Sequence, residues 1–347
     1  FILGGSDWTS VSGNKISKFA EKLSIPVVTS FRRQDVIDNS FKTFAGSLGT
    51  SVSPCLEKRI KEADLIFVLG ARLGEMTTSG YSVINPEVFT HKIVHVHLDP
   101  SELGSVYPIK LGIVSSMANL CDALLNIEIE KKAAWTDWSN ALNRSYKSDA
   151  EPPKYAGPLD LGKIFKDLDN ELPKGTIITL DAGNHTGWPQ RFLKYSFDRR
   201  QIGSTCGSMG YAIPAAVAAS LMYPEKFVLG LVGDGGFMMT GMELMTAVQY
   251  KLSPMFIVFN NSSYGTIRMH QERDHPGRVI ATDLVNPSFT EVGKAMGIYS
   301  EVIRKTEDFL PAFSRCRRRT DITLLELITD KDQLSSRYSI SDFVGKT

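Results

Sequence analysis

The sequence predicts an α/β fold of two tandem doubly wound domains, each built on a parallel sheet. Three observations predict it. Short β-branched apolar runs alternate with stretches of helical spacing in both halves of the chain, which is the pattern of βαβ units. Many of those runs are apolar throughout, as strands covered on both faces should be. A polar interval containing Glu151-Pro152-Pro153 interrupts the rhythm, and 347 residues are enough chain for two cores.

The elements follow in order. Phe1-Ile2-Leu3 runs into Gly4-Gly5 as a strand and its turn. Residues 13–23 have helical spacing, 26–30, 64–70 and 92–99 read as strands, and 115–125 again as helix. The interval 131–157 reads as a linker between a first domain over 1–130 and a second over 158–347. In the second, 176–180, 227–232, 254–260 and 322–328 read as strands, with helices at 159–168, 211–222, 241–250 and 288–296. No short internal period points to a solenoid or propeller. The chain opens on Phe1 with no basic leader or signal pattern, which reads as the middle of a longer protein.

Composition narrows the function classes. Hydrophobic residues at 42% and charged residues at 22% are the balance of a folded, soluble chain. Thirty-nine basic side chains against 38 acidic ones leave +1, too little field to gather nucleic acid or anionic lipid. The local run Arg315, Arg317, Arg318, Arg319 reads as a solvated helix end. Apolar stretches such as 65–69 and 255–259 are strand-sized, far below the roughly 20 residues that cross a bilayer. Neither nucleic acid nor membrane is therefore expected as a partner. Cys55, Cys121, Cys206 and Cys316 are scattered without a C-x-x-C pair, so no disulfide framework or zinc site is written here, and a cytoplasmic location is expected. His95 and His97 share one face of a strand but have no evident third metal ligand. Gly345-Lys346-Thr347 has the residue types that end a phosphate loop, yet Ile340 stands where its first glycine belongs.

The informative segment runs from 227 to 265. Its apolar strand ends in Gly233-Asp234-Gly235-Gly236, and a helical pattern begins at Thr240. A strand, glycine turn and helix put backbone N–H groups at the carboxyl edge of a sheet, where phosphates bind. Glycines at 233, 235 and 236 remove side chains that would hold a phosphate away, although a tight structural turn has the same composition. The next strand ends in Asn260-Asn261. The 24 residues from Gly236 through Phe259 suffice for one helix and one strand, so Asp234 and Asn261 can meet. A carboxylate, an amide oxygen and a loop carbonyl are hard donors, suited to Mg²⁺ that also takes oxygens from a diphosphate.

With that pairing, the sequence resembles the thiamine diphosphate-dependent enzymes of the acetohydroxyacid synthase and pyruvate decarboxylase superfamily, whose signature is GDG, some two dozen residues, then NN. The resemblance implies that Asp234, the Asn261 side chain and the Ser263 carbonyl bind Mg²⁺, and that Gly235 and Gly236 approach the diphosphate. Gly233 and Gly265 join the cofactor-binding set. The segment from Cys206 to Ala216 is similar to the family stretch in which an apolar side chain, here Met209, wedges beneath the cofactor and bends it. The Gly207 carbonyl would accept a hydrogen bond from its amine. These two are the nearest to catalytic residues the chain offers. Asp181-Ala182-Gly183-Asn184-His185 matches the loop whose polar pair, Asn184 and His185, touches the diphosphate.

Further expectations come from the same likeness. Residues 1–130 would be the family's middle, Rossmann-like domain and 158–347 its diphosphate-binding domain. The pyrimidine-binding domain, which supplies the activating glutamate, would be missing, leaving the fragment inactive by itself. The family's synthases hold FAD in the middle domain. Here their LGMHG-like loop reads Ala45-Gly46-Ser47-Leu48-Gly49 without the histidine, while Gly70-Ala71-Arg72-Leu73-Gly74 follows a strand as a nucleotide-bordering turn would, so FAD stays open. His270 stands where biosynthetic synthases have tryptophan, which argues against a branched-chain role. The implied activity is acetolactate synthase-like decarboxylation of a pyruvate-like 2-oxo acid with acyl transfer, in a homodimer or homotetramer with shared active sites. The alternatives are a non-transferring 2-oxo acid decarboxylase and a non-catalytic nucleotide-binding module.

Overall fold

The computed structural model describes residues 1–87, 92–129 and 133–343. The phosphate-loop reading of 345–347 therefore lies outside the described residues, as do positions 131 and 132 of the expected linker. The chain divides into two compact units, Phe1–Glu151 with Lys194–Phe197, and Pro152–Leu193 with Asp198–Thr347.

The first unit is one sheet of six parallel strands: β1 (Ile2–Leu3), β2 (Val27–Thr29), β3 (Phe44–Ser47), β4 (Leu65–Leu69), β5 (Lys92–His97) and β6 (Leu111–Val114). Their order is β3-β2-β1-β4-β5-β6. The order reverses between β1 and β4, the place where such sheets open a crevice at their carboxyl ends. Helices α1 (Ser10–Lys22), α2 (Pro54–Lys61), α3 (Met117–Leu125) and α4 (Thr136–Asp149) accompany it. Thr9 starts α1 with a reciprocal cap: its hydroxyl accepts the Ser12 N–H at 3.2 Å, and the Ser12 hydroxyl accepts the Thr9 N–H at 2.9 Å.

The interval read as a linker is corrected in part by α4, a 14-residue helix inside it. Leu142 of α4 is buried in the first unit's core, Tyr146 meets the Phe44 ring edge-on at 4.8 Å, and the Asn143 amide donates to the Phe44 carbonyl at 2.8 Å. Trp135, Trp138, Leu142 and Tyr146 recur every three or four residues, a helical stripe hidden by the polar composition between them.

The second unit carries β7 (Ile177–Leu180), β8 (Arg200–Gly203), β9 (Val228–Gly233), β10 (Met255–Asn260), β11 (Tyr299–Ile303) and β12 (Thr323–Ile328), again all parallel. Its helices are α5 (Leu161–Glu171), α6 (Gly187–Phe192), α7 (Ala212–Met222), α8 (Asp234–Thr240), α9 (Leu244–Gln249), α10 (Gly265–Asp274), α11 (Phe289–Ala295) and α12 (Thr306–Arg317). The strand order is β11-β12-β10-β9-β7-β8. From β7 the chain goes outward to β8 and then returns to β9 on the other side of β7. The carboxyl ends of β7 and β9 thus frame this sheet's switch point, and Asp181 and Asp234 follow directly from those two strands. Every residue of β10 is buried, and Phe256 and Val258 join Val232, Phe237 and Phe289 in one apolar cluster.

Strands β3, β6, β8 and β11 and helices α2, α6, α10 and α12 were not legible in the periodicity. Phe44-Ala45-Gly46-Ser47 and Arg200-Gln201-Ile202-Gly203 are too short and too polar to show a strand period. Leu111 and Val114 of edge strand β6 are 51% and 58% exposed, so no alternation of burial marks it either. Arg315 and Arg317 fall in the last turn of α12, where Arg315 pairs with Glu301 at 2.6 Å, as a solvated helix end should. Among the described residues no helix is long and apolar enough to cross a membrane, and the four cysteines form no disulfide.

Candidate cofactor site

Asp234 sits where β9 becomes α8. Gly233 is extended (φ −77°, ψ 158°), and helix begins at the next residue rather than at Thr240 as the periodicity suggested. The first turn of α8 is Asp234-Gly235-Gly236, and its glycines carry no apolar side chain to register a helical period. The Asp234 Oδ1 atom accepts the Gly235 N–H at 2.8 Å, which helps to hold that turn closed.

Each glycine faces a different neighbour. A Cβ on Gly236 would lie 2.0 Å from Oδ2 of Asp181, a fully buried carboxylate whose Oδ1 accepts the N–H groups of Ala182 (2.8 Å) and Tyr211 (3.2 Å). On Gly235 it would lie 3.0 Å from the Met209 methyl and 2.6 Å from the Tyr264 ring. On Gly233 it would meet the His185 ring at 3.1 Å. Any side chain here would displace one of these groups.

The paired asparagines lie on the neighbouring strand. β9 and β10 run in register with Phe259 beside Gly233, so Asn260 and Asn261 emerge next to Asp234. The turn after them winds through Ser262 in the left-handed region (φ 52°), and Oδ1 of Asn261 accepts the Ser263 N–H at 3.1 Å. The Ser263 carbonyl accepts the Gly265 N–H at 2.9 Å. Burial pushes the Asp234 carboxyl above its ordinary pKa, against the pull of the Gly235 N–H, the Asn286 amide and the backbone N–H groups of Ser263 and Ser262. The turn therefore closes on the aspartate through the Ser262 and Ser263 N–H groups.

The remaining expected residues converge on the same end of the sheet. The Asn184 amide donates to the Gly265 carbonyl at 3.4 Å and its oxygen accepts the Thr266 hydroxyl at 3.0 Å, tying the loop after β7 to the start of α10. The His185 ring stacks on Phe259, centroids 5.4 Å apart. Met209 is half-buried against Gly235. Gly207, with φ 72° and open space where a Cβ would project, lies exposed two residues before it.

Four side chains that sequence reasoning did not single out belong to this neighbourhood: Asp181, Tyr264, Asn286 and Glu326. Asp181 had a signal, being the first residue of the matched loop. Asn286 and Glu326 had none, since their partners are distant in sequence.

The donor set suits a divalent cation. Asp234 is 4% exposed, its hydrogen bonds come from an amide and backbone N–H groups, and among the described residues no basic side chain pairs with it. A buried carboxylate without a counter-charge is costly, and a bound cation would relieve that cost. Asn261 Oδ1 and the Ser263 carbonyl each keep a second lone pair. Among the described residues, no third metal-ligating side chain joins His95 and His97. His95 Nε2 is 3.0 Å from the Ala71 carbonyl, His97 Nδ1 accepts the Asp99 N–H, and no cluster of three His, Cys, Asp or Glu side chains occurs among the described residues. In the first unit the expected flavin loop is mostly strand, Ala45 to Ser47 lying in β3. A cleft of about 310 Å³ does open at the carboxyl side of that sheet, beside Ser6, Asp7, Gly70, His97 and Asp99.

Comparison with known proteins agrees with this geometry. The family model described as thiamine pyrophosphate enzyme, central domain, matches residues 1–124, and that described as thiamine pyrophosphate enzyme, C-terminal TPP binding domain, matches residues 181–327. The chain is 27% identical over 333 residues to the acetolactate synthase large subunit of Corynebacterium glutamicum, covering 92% of this chain and 52% of that protein. It is 26% identical to the probable acetolactate synthase large subunit of Methanocaldococcus jannaschii (95% of this chain, 57% of that one). To the sulfoacetaldehyde acetyltransferase of Alcaligenes xylosoxydans xylosoxydans it is also 26% identical (90% and 57%). The chain spans about half the length of these curated relatives. With both family models matching in order, over residues 1–124 and 181–327, the chain belongs to the thiamine diphosphate-dependent enzymes of the acetohydroxyacid synthase and pyruvate decarboxylase superfamily.

Proposed function

We propose that residues 1–130 and 158–347 are the middle and diphosphate-binding domains of an enzyme that uses thiamine diphosphate and Mg²⁺ to decarboxylate a pyruvate-like 2-oxo acid and transfer the resulting acyl group. The observation that carries this reading is the buried Asp234 carboxylate with the Asn261–Ser263 turn of the adjacent strand closed upon it. Two relatives support transfer over simple decarboxylation, because their names describe a synthase and an acetyltransferase.

When bound, thiamine diphosphate supplies the electron sink for carbon dioxide loss. The chain's own residues do the rest of what can be assigned here. Asp234, the Asn261 amide and the Ser263 carbonyl would hold Mg²⁺, which neutralises the diphosphate. Gly235 and Gly236 would approach the diphosphate, and Asn184 and His185 would border it. Met209, half-buried against Gly235, would wedge beneath the cofactor, and the Gly207 carbonyl would accept a hydrogen bond from its amine. The activating carboxylic acid belongs to a pyrimidine-binding domain outside residues 1–347, contributed by a second chain in a homodimer or homotetramer. The exposure of Met238 (59%), Met239 (55%), Met242 (67%) and Met245 (43%) in and around α8 and α9 supports such a cover. The cleft of the first unit is where FAD would sit, and the cytoplasm is the proposed location.

The test uses the full-length protein with thiamine diphosphate, Mg²⁺ and pyruvate. Carbon dioxide release with acetolactate, or an acyl adduct of an added aldehyde acceptor, is the expected outcome. Free acetaldehyde as the sole product would overturn transfer, and no carbon dioxide from pyruvate or larger 2-oxo acids would overturn decarboxylation.

A further inference from the structure

Four side chains on four separate segments form one hydrogen-bonded chain that ends on Asp234. Glu326, on β12 and 2% exposed, accepts the Thr290 backbone N–H (2.9 Å) and hydroxyl (2.7 Å) at Oε2 and the Asn260 amide at Oε1 (2.7 Å). Asn260 closes β10, and with its N–H₂ turned to Glu326 its Oδ1 faces the other way. There it accepts one N–H of Asn286 at 2.9 Å and the Ser262 N–H at 3.2 Å. The same Asn286 nitrogen gives its second hydrogen to Asp234 Oδ2 at 2.9 Å.

The chain has a direction set at its far end. Glu326 accepts at both of its oxygens, which fixes the end of the Asn260 amide that points at it. That choice leaves Asn260 with an acceptor for Asn286, and Asn286 with a donor for Asp234. Reversing either amide would set oxygen against oxygen. Burying a glutamate merely to fill space is less favourable than burying an apolar side chain of its size, and Asn260, Asn286 and Glu326 line a cleft of about 540 Å³ rather than a packed interior.

We propose that Asn286, Asn260 and Glu326 are positioning residues that aim the Asp234 carboxylate for Mg²⁺, an inference that rests on reading Asp234 as a metal ligand. Mg²⁺ demands near-octahedral donors and tolerates a misaimed carboxylate poorly, whereas Ca²⁺ accepts irregular geometry. Removing the relay should therefore cost ion discrimination, a property that a merely structural role would leave alone.

The experiment compares full-length wild type, Asn286→Leu and Glu326→Gln. Leucine removes both donors at similar volume. Glutamine turns one acceptor into a donor facing either Asn260 or Thr290. The readout is the Mg²⁺ or Ca²⁺ concentration giving half of the thermal stabilisation by thiamine diphosphate. We expect the Mg²⁺ requirement to rise about 10- to 100-fold in each variant, and the Ca²⁺ requirement by less than about threefold. An unchanged Mg²⁺ requirement, or equal rises for both ions, would overturn the relay. Should one variant fail to fold, the other decides, and failure of both would assign the chain of bonds to folding and overturn it as well. A wild type with no metal-dependent stabilisation, or Asp234→Ala that retains it, would instead remove the metal reading and the relay with it.

Discussion

Met209 and the three glycines show how much of the site is decided by single atoms. Gly236 is glycine because the buried Asp181 carboxylate occupies the space of its Cβ, and Gly235 because Met209 and Tyr264 occupy the space of its own. Met209→Ala should leave metal-dependent binding of thiamine diphosphate intact while lowering turnover. A loss of positioning worth about 1.4 kcal/mol lowers kcat about tenfold. Unchanged kcat in the full-length variant would refute the wedge assignment. At this scale the sequence showed the residues whose chemistry lies in local order: Gly233-Asp234-Gly235 and Asn260-Asn261, each at a strand end. Asn286 and Glu326 were invisible because they act through partners 26 to 66 positions away, and an asparagine before a proline or a glutamate in an apolar strand has no spacing that marks it.

Elements were legible where apolar periodicity was dense. Buried strands such as β9 and β10 stood out because packing selects nearly every residue in them, and α7 because all but Ser220 of its residues are apolar. Helix α8 lost its first turn to glycines, and α4 was submerged in a polar interval although its stripe of Trp138, Leu142 and Tyr146 packs on the first unit. If α4 is part of that core, Leu142→Ala should destabilise the first unit by about 2–5 kcal/mol, since the side chain is 4% exposed and its removal leaves a cavity. A denaturant midpoint indistinguishable from wild type would return the helix to the role of a connector.

On the scale of the whole molecule, two parallel sheets with different strand orders each place a switch point at their carboxyl edge. The second fills it with the buried Asp234 carboxylate, which among the described residues pairs with no basic side chain, and with the Asn286 amide bonded to it. That difference follows from topology: the reversal at β7 sets Asp181 and Asp234 at neighbouring strand ends, and β10, in register with β9, ends beside them. Calorimetric titration of thiamine diphosphate into full-length wild type and Asp234→Ala, each with and without Mg²⁺, tests this account most directly. Wild type should bind only when Mg²⁺ is present, and at 100 times the dissociation constant the ligand should add about 2.7 kcal/mol of stability. The aspartate variant should show neither binding nor stabilisation, and equal, metal-independent binding by both proteins would contradict the site.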